Sequence, residues 1–229
     1  MKQLLRYIEV PSLILVPVIL VLFVIFQIPQ TAALSLVVVI AAIALFFTNY
    51  EASRPGLRQI MPTVVLGSLA ASGRILFAAI PNFKPVSAIC ILAGVVFGRR
   101  TGFMVGALGA LVSNFFFGQG PWTPWQMYGW GLVGYLAGVF SEHDWFEHPL
   151  ILYIFGFLSA MLYSFLLNLY YLVGFVHPLT WQSALVTYGA SLPFDLMHGA
   201  ATVFFLLIIY APWRKKLERI EKKYALSDH

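Results

Sequence analysis

Arg74, Asp195 and His198 have side chains able to do chemistry in a setting where such groups are costly, since each is embedded in a run of apolar residues. An ionised side chain at the centre of a transmembrane helix costs about 2.5–3.5 kcal/mol on insertion scales, so Arg74 and Asp195 must face a bundle interior and find partners there. The two are expected to pair with each other as an intramembrane ion pair, which either clamps helices together or couples a small solute to an ion. His198 follows Asp195 by one helical turn and shares its face, as a hydrogen-bond partner of the carboxylate. As acid and base the two would serve an intramembrane enzyme. As metal ligands they fall short, because a site needs three or four donors, and none is expected.

A second set of groups suits binding rather than catalysis. The stretch Asn114-Phe-Phe-Phe-Gly-Gln-Gly-Pro-Trp-Thr-Pro-Trp-Gln126 is a breaker-rich aromatic loop between two apolar segments. Irregular backbone at membrane depth survives only where protein covers it or where it lines a cavity, so this loop is read as the wall or lid of a site. Trp122, Trp125 and Trp130 suit an interfacial belt equally well. Gly118, Gly120, Pro121 and Pro124 bend the chain around Gln119, however, and Gln126 is an amide that a lipid-facing belt does not need. Flat aromatic surfaces with a few amides describe a pocket for a bulky ring-bearing solute.

The elements that must position these groups follow from composition. With 60% hydrophobic and 10% charged residues, the 229-residue chain reads as an all-α, polytopic membrane helix bundle. Eight apolar segments are expected, at roughly 10–28, 32–48, 59–80, 85–98, 101–117, 123–141, 149–174 and 181–211. The fourth is about 20 Å long at 1.5 Å per residue, short of a core of about 30 Å, and is expected to be tilted, buried or re-entrant. The first follows Lys2 and Arg6 but exceeds a signal core and lacks a cleavage site, so it is read as a retained helix. Cys90 is the only cysteine, which excludes an internal disulfide. The division expected is an N-terminal hairpin over 1–57, a six-helix core over 58–212 and a basic tail over 213–229.

Charge orients the bundle. With a cytoplasmic amino terminus, Lys2, Arg6, Arg54, Arg58, Arg99, Arg100 and the tail cluster Arg214, Lys215, Lys216, Arg219, Lys222 and Lys223 all lie inside, and Lys84 alone lies outside. Both termini are then cytoplasmic. The net charge of +5 is topological and calls for no nucleic acid. The tail from Trp213 to Leu226 has helical spacing and suits anionic lipid, a cytoplasmic partner or plain solvent.

In this orientation Arg74, Ser113, Asn114, Gln126, Asn168, Gln182, Ser191 and Asp195 fall in the outer halves of their segments, with Trp122, Trp125, Tyr128, Trp130, Tyr170, Tyr171, Trp181 and Tyr188. The inner halves are nearly devoid of groups that solvate a polar cargo. Channels and ordinary carriers line the whole route. This pattern, open above and sealed below, suits a receptor that captures a solute from outside.

Small residues at four-residue spacing, Gly67 with Ala71, Ser68 with Ser72, Gly102 with Gly106 and Gly134 with Gly138, make strips for close helix approach. Of the two adjacent strips over Gly67-Ser-Leu-Ala-Ala-Ser72, one is free for another protein. No phosphate-binding loop, nucleophile elbow or zinc-protease helix is present, so the chain is not read as an enzyme and no cofactor is expected.

From about residue 58 to 211 the chain resembles the substrate-binding S component of an energy-coupling-factor (ECF) vitamin transporter, in its six apolar segments, small-xxx-small first helix, short second helix and outward loop after the third. The runs Phe83-Lys-Pro-Val, Gly102-Phe-Met-Val-Gly-Ala-Leu-Gly-Ala-Leu-Val-Ser-Asn114 and Gly118-Gln-Gly-Pro-Trp-Thr-Pro-Trp-Gln-Met127 are similar to the cobalamin-type members. The resemblance implies a vitamin, cobalamin or a related corrinoid, bound near the outer surface. It implies contacts from the loops 81–85 and 117–124, hence Asn82, Lys84, Gln119 and Trp122. Further contacts would come from outer helix ends bearing Asn114, Trp125, Gln126, Tyr171, Trp181, Tyr188 and Asp195. It implies that Gly67, Ser68, Ala71 and Ser72 meet a transmembrane coupling T component, that two cytosolic ATPases complete the complex in the cell membrane, and that the loaded subunit topples to deliver its cargo. Residues 1–57 have no counterpart in that pattern.

Overall fold

The structure, a computed structural model, describes residues 31–52 and 56–224, together with positions 11, 14–16, 18, 19 and 22. Every regular element among these residues is helical: α1 (Thr31–Ala52), α2 (Leu57–Leu76), α3 (Val86–Phe97), α4 (Arg99–Phe117), α5 (Trp122–Glu142), a 3₁₀ turn (Trp145–Glu147), α6 (Pro149–Phe175) and α7 (Trp181–Tyr224). The first expected span, 10–28, falls mostly outside the described residues, and Lys2, Arg6, Arg54 and the last residues of the tail fall wholly outside them.

The chain runs up and down from α2 to α7. At one end, here called the upper end, α2, α4 and α6 finish and α3, α5 and α7 begin. The segments Arg58–Leu76, Arg99–Phe117, Pro149–Phe175 and Trp181–Tyr224 are long and apolar enough to cross a bilayer. The 12-residue α3 is the central element, with all but one of its residues buried. It packs against every other helix from α2 to α7, while α1 lies on α5 and α6. A helix too short to span stays inside because its whole circumference is apolar and its neighbours cover it.

Glycine makes the centre dense. A methyl group on Gly94 would lie 2.1 Å from the carbonyl oxygen of Gly134, and one on Gly106 2.3 Å from the Trp130 backbone. The backbones of α3, α4 and α5 therefore touch, with no space for a side chain between them. Gly98 joins α3 to α4 at φ 86°, a left-handed conformation that favours glycine. Below, Phe46 stacks on Phe103 at 3.8 Å between ring centroids and meets Tyr135 edge-on, which closes the lower half with aromatic surface.

One expectation about element ends is corrected. The aromatic loop is far shorter than the sequence suggests: Asn114–Phe117 finish α4, and Trp122, Trp125 and Gln126 already belong to α5. Pro124 is tolerated because it is the third residue of that helix, where no intrahelical acceptor awaits its missing N–H. The tail from Trp213 is helical, as its spacing suggests, since α7 continues for 44 residues through Pro212 to Tyr224. One lost backbone bond does not stop a helix that Arg214 and Glu218 brace at 2.6 Å across one turn.

Candidate functional site

Arg74 occupies the last turn of α2 and reaches across to α4 and α5. Its Nη1 donates to Ser113 Oγ at 2.7 Å and to Asn114 Oδ1 at 2.6 Å, and its Nη2 to Gln126 Oε1 at 3.5 Å. The guanidinium also lies 4.7 Å from the Phe117 ring centroid and 5.0 Å from that of Trp130. Neutral dipoles and ring faces thus solvate the cation. Asn114, fully buried, donates in turn to Gln126 Oε1 at 2.8 Å and to Thr123 Oγ1 at 3.0 Å. Thr123 donates to Gln119 Oε1, and Gln119 Nε2 donates to the Leu111 carbonyl.

The expected ion pair is absent: Arg74 and Asp195 do not meet. Asp195 Oδ2 instead accepts from Asn168 Nδ2 at 3.0 Å and from Ser191 Oγ at 2.8 Å, which ties α7 to α6. The physical reason is azimuth. Depth in the membrane identifies which groups need partners, but rotation about the helix axis decides which partner is in reach, and Arg74 is turned toward α4 and α5. The expected Asp195–His198 bond is corrected likewise, since His198 Nε2 bonds Ser87 Oγ of α3 at 2.9 Å and its Nδ1 faces Ser164 Oγ of α6 at 3.5 Å.

The remaining candidates fall into three groups. Asn82, in a left-handed conformation at φ 53°, donates to the Phe194 carbonyl at 3.0 Å and pins the 81–85 loop on α7. Lys84 donates to the carbonyls of Phe77 and Ile80 beyond the end of α2. Burial, and after it the charge of Arg74, lowers its ammonium pKa from the usual lysine range. Trp125 is fully buried against Tyr170 at 5.5 Å between centroids, whereas Trp122 remains 40% exposed over Gly120. Tyr188 stacks on Phe165 and donates to its carbonyl. Tyr171 and Trp181 stand out from these contacts, Trp181 at 84% exposure.

Taken round the upper end, the contacts close into a ring. Arg74 joins α2 to α4 and α5, Trp125 and Tyr170 join α5 to α6, Asn168 and Asp195 join α6 to α7, and Asn82 and Lys84 return from α7 to α2. Beneath it, Trp130 stacks on Tyr163 at 4.4 Å and donates through Nε1 to Ser87, which also bonds His198. Ser87, Thr123 and Tyr163 went unmarked in the sequence. A single small hydroxyl in an otherwise apolar, fully buried helix was the available signal for Ser87.

Of the small-residue strips, Gly67 and Ala71 are buried, and a methyl on Gly67 would stand 3.1 Å from Leu108 of α4. That corrects their expected place at a partner surface. Ser68 and Ser72 remain exposed beside Met61, Val65 and Leu76.

Fold and site together define a polytopic membrane bundle that is polar and aromatic at one end and closed by apolar packing at the other. A family model described as "ECF-type riboflavin transporter, S component" matches residues 60–217, and the chain belongs to that family. It is also 39% identical over 75 residues to a UPF0397 protein of Vibrio atlanticus and 37% identical over 75 residues to one of Aliivibrio fischeri strain MJ11. Each alignment covers 33% of this chain and 40% of the relative, so the chain spans less than half the length of the curated relatives it matches. No solved structure matches it significantly.

Proposed function

We propose that the chain is the substrate-binding S component of an ECF-type importer, capturing a vitamin at the upper end of the bundle, which faces outside. The observation that carries this reading is the ring of polar and aromatic contacts around Arg74, Asn114 and Gln126, set above a glycine-packed floor within the segment that the family model matches. A bundle closed below releases its cargo by reorienting as a body. The chain therefore works beside a transmembrane T component and two cytosolic ATPases in the cell membrane, with both termini cytoplasmic. Ser68 and Ser72, exposed on α2, offer the contact with the T component. Asn82, Lys84, Gln119, Trp122 and Gln126 are the side chains we assign to ligand contact.

Cobalamin or a related corrinoid is the ligand we favour, from the resemblance of the Phe83-Lys-Pro-Val and Gly118–Met127 runs to cobalamin-type members. The name of the matching family favours riboflavin as the second candidate. Purified protein is expected to bind one of them without ATP, metal or an ion gradient. If the chain alone in liposomes accumulated solute under a proton or sodium gradient, the ion-coupled carrier would replace this reading.

A further inference from the structure

The charge at the upper end bears on which part of a ligand the site recognises. Arg74 and Lys84 sit on touching stretches of chain: a methyl on Gly73 would stand 2.5 Å from Pro85 Cγ, and Lys84 bonds the Phe77 and Ile80 carbonyls just past Arg74. Among the described residues neither has a carboxylate partner: Arg74 is held by Ser113, Asn114 and Gln126, and Lys84 by the Phe77 and Ile80 carbonyls. The ion pairs that form among the described residues, Arg99 with Glu142 and Arg214 with Glu218, belong to the opposite end. The end of α2 contributes about half a unit of negative charge, which does not balance two full cations. Asp195, the acidic side chain near this end, is engaged by Asn168 and Ser191 instead.

Two like charges held together in partly desolvated surroundings repel, and the arrangement is relieved when an anion enters. Neutral amides fix Arg74 without neutralising it, so its charge stays available. We propose that Arg74 and Lys84 receive an anionic group, a phosphate ester or a carboxylate, carried on the ring-bearing ligand. The assignment rests on the receptor reading above and narrows its substrate class to ring compounds with an acidic appendage.

The test compares ligands that share a ring and differ in the anion: dicyanocobinamide phosphate against dicyanocobinamide, and riboflavin 5′-phosphate against riboflavin. Equilibrium binding to the purified full chain at low salt is expected to favour the anionic member of the pair it recognises by about tenfold or more. In Arg74→Gln and Lys84→Gln that preference collapses toward unity. Should Arg74→Gln fail to fold, Lys84→Gln, which leaves the Arg74 contacts in place, decides. Equal affinities within a pair, or a preference unchanged in the folded variants, overturn the charge assignment while upholding the receptor reading. If none of the four compounds binds, the receptor reading fails and the assignment with it.

Discussion

Asn114 Oδ1 lies 2.6 Å from Arg74 Nη1, and the same amide donates to Gln126 at 2.8 Å, so one side chain both solvates the cation and fixes its neighbour. Asn114→Leu leaves buried partners unsatisfied and is expected to cost about 1–3 kcal/mol. Asn114→Asp is expected to behave differently. It supplies a counter-ion to Arg74, keeps the thermal midpoint near that of the parent and weakens binding of an anionic ligand. Thermal melts in detergent beside ligand titrations check both outcomes.

Trp122 and Trp125 stand one helical turn apart but play different parts. Trp122→Ala removes a half-exposed ring and is expected to weaken vitamin binding with little change in stability. Trp125→Ala empties a fully buried volume and is expected to cost about 3–5 kcal/mol. Paired melts and titrations separate the two effects.

A methyl on Gly134 would sit 2.2 Å from the Gly102 carbonyl oxygen, whereas one on Gly189 meets nothing within 4 Å. Gly134→Ala therefore forces α4 and α5 apart and is expected to abolish monodisperse protein in size-exclusion chromatography. Gly189→Ala is expected to be neutral or to stabilise by up to about 1 kcal/mol through helix propensity.

Ser68 is exposed on α2 while Gly67 is packed on α4. Ser68→Phe is expected to leave ligand binding by the isolated chain intact and to reduce uptake by the assembled transporter. Co-purification with the coupling subunit provides the readout.

The helices were legible because apolar runs separated by prolines leave little choice at membrane depth, and α2 to α6 begin and end within a few residues of expectation. Breaker residues misled at one place. Pro124 suggested a loop where it only begins α5. Arg74 reads from the sequence as a charge in need of partners, and Asn114 and Gln126 as polar groups in the same outer half of the membrane. Their pairing was not legible, since it depends on helix rotation: Arg74 turned to amides on α4 and α5, and His198 turned to Ser87, 111 residues away in the chain.

The most direct measurement is the visible spectrum of the protein purified from cells grown with vitamins, since corrinoids and flavins both absorb there. A chromophore is expected to co-purify at about one per chain, to resist washing in the absence of ATP, and to be reduced in Trp122→Ala and Lys84→Gln. A colourless, well-folded protein that takes up neither corrinoid nor flavin when these are added back would contradict the receptor reading.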